Sequence, residues 1–243
     1  MRLSNISFSS VFCGVVRFLV GTFRKLSLSL CAGEKMNKIN KQDVAYAWFF
    51  SGLEDLFFAF QIHSPFRYEP FISTMGFEKV CKAYLLSEKS SEYDTLEREE
   101  AKKEIDSLAK DLGHKLKRMV NEIKDSVHDQ EFERLINQDF DGYTGKTLIK
   151  VMEAAYLECR YPVPKHINRN FPIKGESGMY WEPICSSGIQ KFCFAFTGRI
   201  MIYLKENLDI PISKDEFDKI ITGKDGVRFC NLFLKYNPEN IWK

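Results

Sequence analysis

A chain of 243 residues that is 44% hydrophobic, with 21 phenylalanines, can bury a substantial core, and this excludes an intrinsically disordered protein. The formal net charge is +2, but residues 1–35 hold five cations and one anion, which leaves −2 for residues 36–243. This balance excludes nucleic-acid binding through bulk positive charge, so any such binding would need a local basic patch.

Residues 1–35 do not have the pattern of a membrane span or a secretory leader. Arg17 splits their apolar stretch, so neither half reaches the ~20 apolar residues that a spanning helix needs. No basic start precedes an unbroken apolar run, as it would in a leader. We expect a poorly ordered N-terminal extension, with Met36 as an alternative start. An amphipathic segment on a membrane surface is the second interpretation.

The first predicted element is a buried helix from Gln42 to about Ile62, where apolar residues dominate. Asp43 near its start suits the helix dipole, and Pro65 and Pro70 are expected to separate it from the next helix. The aromatic residues that we expect in its core are Trp48, Phe49, Phe50, Phe57 and Phe58.

Apolar residues at steps of three and four predict further helices in the middle of the chain. They are expected over about Ile72–Ser87, Glu97–Ser126 and Lys146–Cys159, with a short helix over Asp129–Asn137 and a loop over residues 139–145.

The C-terminal third begins with an irregular stretch, because four prolines and two glycines lie between residues 160 and 185. A helix is predicted over about Ser187–Asn207. Ser213 and Glu216 then form a capping box that starts a short helix, and one more helix is expected over about Val227–Tyr236.

These helices predict an all-α fold, since no segment has an alternation that demands a sheet. We expect a four- to five-helix bundle over residues 36–167 and extra C-terminal helices over residues 168–243 that pack on the bundle. The sequence has no phosphate-binding glycine-rich loop, no HExxH motif and no serine in a nucleophile elbow.

The cysteines and histidines do not suggest a metal site. Seven cysteines occur without a CxxC pair, and the four histidines lack supporting spacing. We therefore expect reduced, mostly buried thiols in a cytoplasmic protein, with no metal and no cofactor.

Three segments resemble the HEPN domain, a small helical bundle found in RNA-cleaving toxins and nucleotide-handling proteins of microbes. They are FEKVCKAYLL (77–86), Gly113-His114 followed by Leu116, and YLECRYP (156–162). The resemblance covers about residues 44–166. It implies an HEPN-like bundle, a homodimer, RNA or a nucleotide as partner, and a defence or toxin–antitoxin setting with a possible protein partner. It does not imply a membrane.

Active HEPN ribonucleases carry an arginine, four to six residues, and then a histidine, and Arg160 and His166 fit this pattern. The resemblance implies that His166 takes the proton of a ribose 2′-hydroxyl while Arg160 stabilises the phosphorane, without metal. Pro162 and Pro164 depart from the pattern, because the pair cannot share one regular helix. The alternative is that Arg160 caps the preceding helix and His166 is an ordinary loop residue.

A local basic patch could bind phosphate. In one interpretation Gly113 permits close helix packing and His114 faces a pocket; in the other, His114 is a half-buried contact between helices. The lysines could likewise form only a solvated face. The candidate phosphate-binding residues are Lys79, Lys82, His114, Lys115 and Arg118.

Two functions from different classes follow. The first is an RNA- or nucleotide-binding HEPN-like protein, which in an active form would be a metal-independent endoribonuclease. The second is a non-catalytic helical interaction or scaffold protein whose charged helices bind a partner.

Overall fold

A computed structural model describes residues 38–62, 68–158, 183–237 and 241–242. Nearly all of these residues are helical, which confirms the predicted all-α class. The helices are α1 (Lys41–Gln61), α2 (Tyr68–Glu88), α3 (Arg98–Leu112), α4 (Leu116–Val127), α5 (Gln130–Asn137), α6 (Gly145–Glu158), α7 (Pro183–Leu208), α8 (Lys214–Ile220) and α9 (Gly223–Lys235). A short 3₁₀ turn lies at Ser90–Glu92.

Helices α1 and α2 form the central antiparallel pair of the fold. The side chain of Asn40 accepts a hydrogen bond from the backbone N–H of Asp43 (2.8 Å) and caps the start of α1. Helix α2 begins before the predicted start, and the expectation that Pro70 separates the helices was wrong. Pro70 lies in the first turn of α2, where proline costs no helical hydrogen bond.

The predicted long helix over Glu97–Ser126 is two helices, so this prediction was wrong. Gly113 ends α3 with φ 60° and ψ −140°, a backbone conformation that side chains disfavour. The expected role of Gly113 in close packing is also incorrect. A Cβ at this position would have its nearest neighbour 3.7 Å away, in the backbone of α3 itself, so the glycine serves the turn rather than a helix contact.

A two-stranded antiparallel ladder replaces the predicted loop over residues 139–145. Strand β1 (Asp139–Phe140) pairs with β2 (Tyr143–Thr144). Asp141 and Gly142 between them both have positive φ, as a tight hairpin requires. The ladder leads directly into α6.

The core lies between α1 and α2 and the helices around them. Phe49, Phe50 and Phe57 are buried as expected. The prediction was wrong for Phe58, which is 36% exposed, and Trp48 is only half-buried. The ring of Phe57 packs edge-on against Phe229 of α9, with centroids 5.3 Å apart.

The C-terminal helices join the same compact unit, which spans Lys38–Lys243. The predicted capping box is present, since the Ser213 hydroxyl accepts from the backbone N–H of Glu216 at 3.2 Å. The thiols of Cys81 and Cys193 are free and buried, and that of Cys230 is free and half-buried. Among the described segments, no helix combines the length and apolar character needed to traverse a bilayer.

Candidate functional site

A buried carboxylate on α2 joins residues from distant parts of the chain. One oxygen of Glu78 accepts a hydrogen bond from the ammonium of Lys82 (2.7 Å), one turn later on the same helix. The other oxygen lies 2.7 Å from Nδ1 of His114, in the turn between α3 and α4. The Glu78 side chain is 8% exposed and that of Lys82 is 6% exposed. The buried ion pair therefore anchors the histidine to α2.

His114 is held at its second nitrogen by Tyr156, near the end of α6. Nε2 lies 2.7 Å from the Tyr156 hydroxyl, and the two rings stack with centroids 4.0 Å apart and planes 24° apart. A carboxylate can only accept, so Nδ1 carries the proton that Glu78 binds. In the neutral ring Nε2 then accepts from the Tyr156 hydroxyl. The His114 side chain is nevertheless 52% exposed.

Lys82 is enclosed on its other side by an aromatic ring. Its ammonium lies 5.7 Å from the ring centroid of Trp48 on α1, a cation–π distance. With Glu78 at one side and Trp48 at the other, the Lys82 side chain contacts protein rather than solvent. Lys82 thus stabilises the buried Glu78 carboxylate that binds His114.

A second polar cluster lies between α1 and α2. The ammonium of Lys79 is 2.6 Å from Asp55 and donates to the hydroxyl of Ser51 at 3.1 Å. Burial raises the pKa of Asp55, while Lys79 opposes the increase. Burial and the neighbouring Asp55 also raise the pKa of Glu54. A serine nucleophile needs a neighbouring base that accepts its proton. Lys79 instead donates to the Ser51 hydroxyl and is paired with a carboxylate, so it is not placed to be that base.

The other two cations of the predicted set lie at the exposed start of α4, where Lys115 directly precedes the helix and Arg118 lies in its first turn. Arg118 pairs with Glu122 (2.7 Å) and with Asp111 (3.6 Å). Lys115 is exposed and forms no salt bridge with any residue in the described ranges. The carboxylate of Glu153 on α6 accepts from the backbone N–H of Lys117 (2.9 Å) and so ties α6 to the start of α4.

The structure brings together only part of the predicted set. Lys82 and His114 meet through Glu78, and Lys115 follows His114 in the chain. Lys79 and Arg118 instead bind separate acidic partners. The other two predicted residues, Arg160 and His166, lie outside the described residues.

Sequence reasoning missed three members of the site. Glu78 lies inside the segment FEKVCKAYLL, and its i,i+4 spacing to Lys82 is a signal for an ion pair. Trp48 has only the apolar pattern of a core residue. No sequence signal links Tyr156 to His114, since 42 positions separate them. The described parts of the chain hold no cluster of three or more His, Cys, Asp or Glu side chains suited to a metal ion.

Comparison of the chain with protein-family models, curated proteins and solved structures gives no match. The resemblance to the HEPN family therefore stays a prediction, and it depends on the three segments at residues 77–86, 113–116 and 156–162.

Proposed function

We propose that this chain is an HEPN-like RNA- or nucleotide-binding protein that works as a homodimer in a defence or toxin–antitoxin system. One observation carries the proposal. Glu78, His114 and Tyr156 come from the three separate segments that resemble the HEPN domain, and they form one hydrogen-bonded chain in which each contact is 2.7 Å long. Convergence of the three segments on one half-exposed imidazole supports a shared function.

The ligand would bind at the solvent-exposed side of the hydrogen-bonded residues Glu78, His114 and Tyr156. His114 and Lys115 are both exposed, and Arg118 is partly exposed beside them. A phosphate could compete with Glu122 for the Arg118 guanidinium, because surface ion pairs are weak and easily exchanged. In this proposal Lys79 and Lys82 hold α1, α2 and His114 in place instead of contacting the ligand.

In the catalytic form of the proposal, Arg160 and His166 cleave RNA without metal. Arg160 follows Tyr156 by four positions in the sequence. The imidazole of His166 would accept the proton of the 2′-hydroxyl as that oxygen attacks the adjacent phosphorus, and Arg160 would stabilise the charge on the phosphorane. The P–O5′ bond would then break to leave a 2′,3′-cyclic phosphate, and the departing 5′-oxygen would take a proton from the His166 imidazolium or from water.

The test is an RNA-cleavage assay in EDTA with the wild type, Arg160→Ala, His166→Ala and the control His128→Asn. His128 is exposed at the opposite end of α4 with φ 52°, which asparagine tolerates. Cleavage by the wild type and the control, lost in both alanine variants, would support the ribonuclease. Absence of cleavage by a folded wild type, together with RNA or nucleotide binding, would leave a binding protein.

A scaffold protein is the second candidate, and one observation favours it. Lys79, Lys82 and Arg118 already have acidic partners within the chain. The first candidate should bind RNA with an affinity that falls as the salt concentration rises, because binding displaces counterions from the RNA. The scaffold protein should not show this salt-dependent RNA binding. Fluorescence anisotropy with labelled single-stranded RNA from about 50 to 200 mM salt decides between them. A folded protein that binds neither RNA nor nucleotide at low salt would favour the scaffold.

A further inference from the structure

The imidazole of His114 is held by three contacts that come from two residues. Glu78 binds Nδ1, the Tyr156 hydroxyl binds Nε2, and the Tyr156 ring covers one face. A histidine in an exposed turn ordinarily samples several rotamers. Here both nitrogens have partners, so the plane of the ring is set before any ligand arrives. Such preorganisation reduces the entropic cost of binding.

The fixed ring is open to solvent although its supports are buried. The His114 side chain is 52% exposed, whereas that of Glu78 is 8% exposed. One face lies on Tyr156 and both nitrogens are bonded. The opposite face and the carbon edge are therefore the parts of the ring that have no partner among these contacts and can receive a ligand. The protein presents a flat aromatic surface on a rigid support.

Nucleobases are the ligands that such a surface suits. Single-stranded RNA is recognised by stacking of unpaired bases on aromatic side chains, histidine included. Paired bases are already stacked within a duplex and do not offer a free face. Lys115, the next residue in the chain, supplies an exposed ammonium for an attached phosphate.

We infer that the exposed face of His114 is a stacking platform for an unpaired nucleobase whose phosphate contacts Lys115. This inference rests on the proposed function and deepens it, because it names the base contact and the preference for unpaired nucleotides. The unpaired base can come from single-stranded RNA or from a free nucleotide, and both sources share this chemistry.

The experiment compares His114→Phe with His114→Leu in the full chain. Both variants lose the hydrogen bonds to Glu78 and Tyr156, so they share any structural cost, but only phenylalanine keeps a flat ring. The probes are a single-stranded RNA containing the fluorescent base 2-aminopurine, the same RNA as a duplex, and adenosine monophosphate. Circular dichroism checks that each variant is folded, and His128→Asn is the matched control.

We expect the wild type, His114→Phe and His128→Asn to bind the single strand and quench 2-aminopurine. His114→Leu should bind about 5- to 100-fold more weakly than His114→Phe, without quenching. A preference of the wild type for adenosine monophosphate over the oligonucleotide would identify a free nucleotide as the source of the base, and the reverse would identify RNA.

Equal affinities of the two variants, or a wild type that prefers the duplex, would overturn the stacking platform and leave the proposed RNA binding intact. A folded wild type that binds none of the three probes would overturn both. Loss of binding in Lys115→Ala but not in Lys214→Ala, an exposed lysine on α8, would support the phosphate contact. Equal binding by these two lysine variants would remove it.

Discussion

Gly52 of α1 and Gly76 of α2 approach each other so closely that neither position has room for a side chain. A Cβ at Gly52 would lie 2.6 Å from the carbonyl oxygen of Gly76, and a Cβ at Gly76 would lie 2.8 Å from that of Gly52. Both obstacles are backbone atoms, which cannot rotate away. The contact fixes the spacing of the two helices that carry Trp48, Glu78 and Lys82.

Gly52→Ala and Gly76→Ala should therefore each destabilise the fold, although alanine is the better helix former. We expect a loss of about 1–3 kcal/mol or more in the free energy of unfolding, as for an overpacked core. Urea denaturation followed by circular dichroism measures it. Ser107→Ala, at an exposed position of α3, should change stability by less than about 0.5 kcal/mol. A neutral Gly52→Ala would mean that the helices can separate at little cost.

The buried ion pair of α2 should depend strongly on both partners. Lys82→Met leaves the Glu78 carboxylate buried with His114 as its remaining partner, and we expect destabilisation of about 3–5 kcal/mol. Lys102→Met is the control, since Lys102 pairs with Glu99 on the surface, where both side chains are largely exposed. That change should cost less than about 0.5 kcal/mol.

Restoring charge balance should recover part of the loss. The double variant Glu78→Gln/Lys82→Met removes both charges, so it should be less destabilised than the sum of its two single variants. Additive effects in this cycle would contradict a direct interaction between the two side chains.

Glu69 of α2 should make the fold less stable as the pH rises. Burial raises the pKa of its carboxyl, while the hydrogen bond from Gln190 (2.6 Å) opposes the increase. The folded protein then holds a proton that the unfolded chain has already released. Stability is therefore highest below the unfolded pKa and falls as the pH rises through the folded pKa.

The variant Glu69→Gln keeps an acceptor for Gln190 and cannot ionise. The difference in free energy of unfolding between this variant and the wild type should therefore favour the variant more at neutral pH than in mild acid. Urea denaturation of both proteins under both conditions measures this difference. Glu99→Gln is a control with the opposite sign, because hydrogen bonding by Lys102 lowers the pKa of Glu99. A relative stability of Glu69→Gln that does not change with pH would contradict the burial of this carboxyl.

Sequence periodicity predicted the helices well where local rules decide the outcome. The extent of α1 and the cap at Ser213 both follow from nearby residues. The break at Gly113 escaped prediction because Leu112 and Leu116 keep the apolar stripe in step across it. Phe58 was misplaced for a similar reason, since hydrophobicity does not reveal which side of a crowded helix faces solvent.

The site was less predictable than the fold, because its contacts join distant segments. Lys79 and Lys82 are three positions apart and look alike in the sequence. Yet Lys79 turns to Asp55 on α1, and Lys82 turns to Glu78 on its own helix. Only the packing of α1 against α2 makes this choice. The pairing of His114 with Tyr156 likewise depends on where α6 lies.

Gly113 offers a way to move His114 without touching it. Its φ of 60° is strained for other residues, so Gly113→Ala should destabilise the protein by about 1–3 kcal/mol. Gly223→Ala is a matched control at the start of α9, since Gly223 has φ 76° and an added Cβ there would meet no atom within 4 Å. The two variants should lose similar stability for the same backbone reason.

Only Gly113→Ala should disturb the hydrogen bonds of His114. The measurement is the side-chain ¹⁵N spectrum of the histidines above neutral pH, where the His114 imidazole of the wild type should have its proton held on Nδ1. That signal should persist in Gly223→Ala and change in Gly113→Ala towards the mixed tautomers of a free imidazole. An unchanged signal in Gly113→Ala would show that Glu78 and Tyr156 hold the ring independently of the turn that carries it.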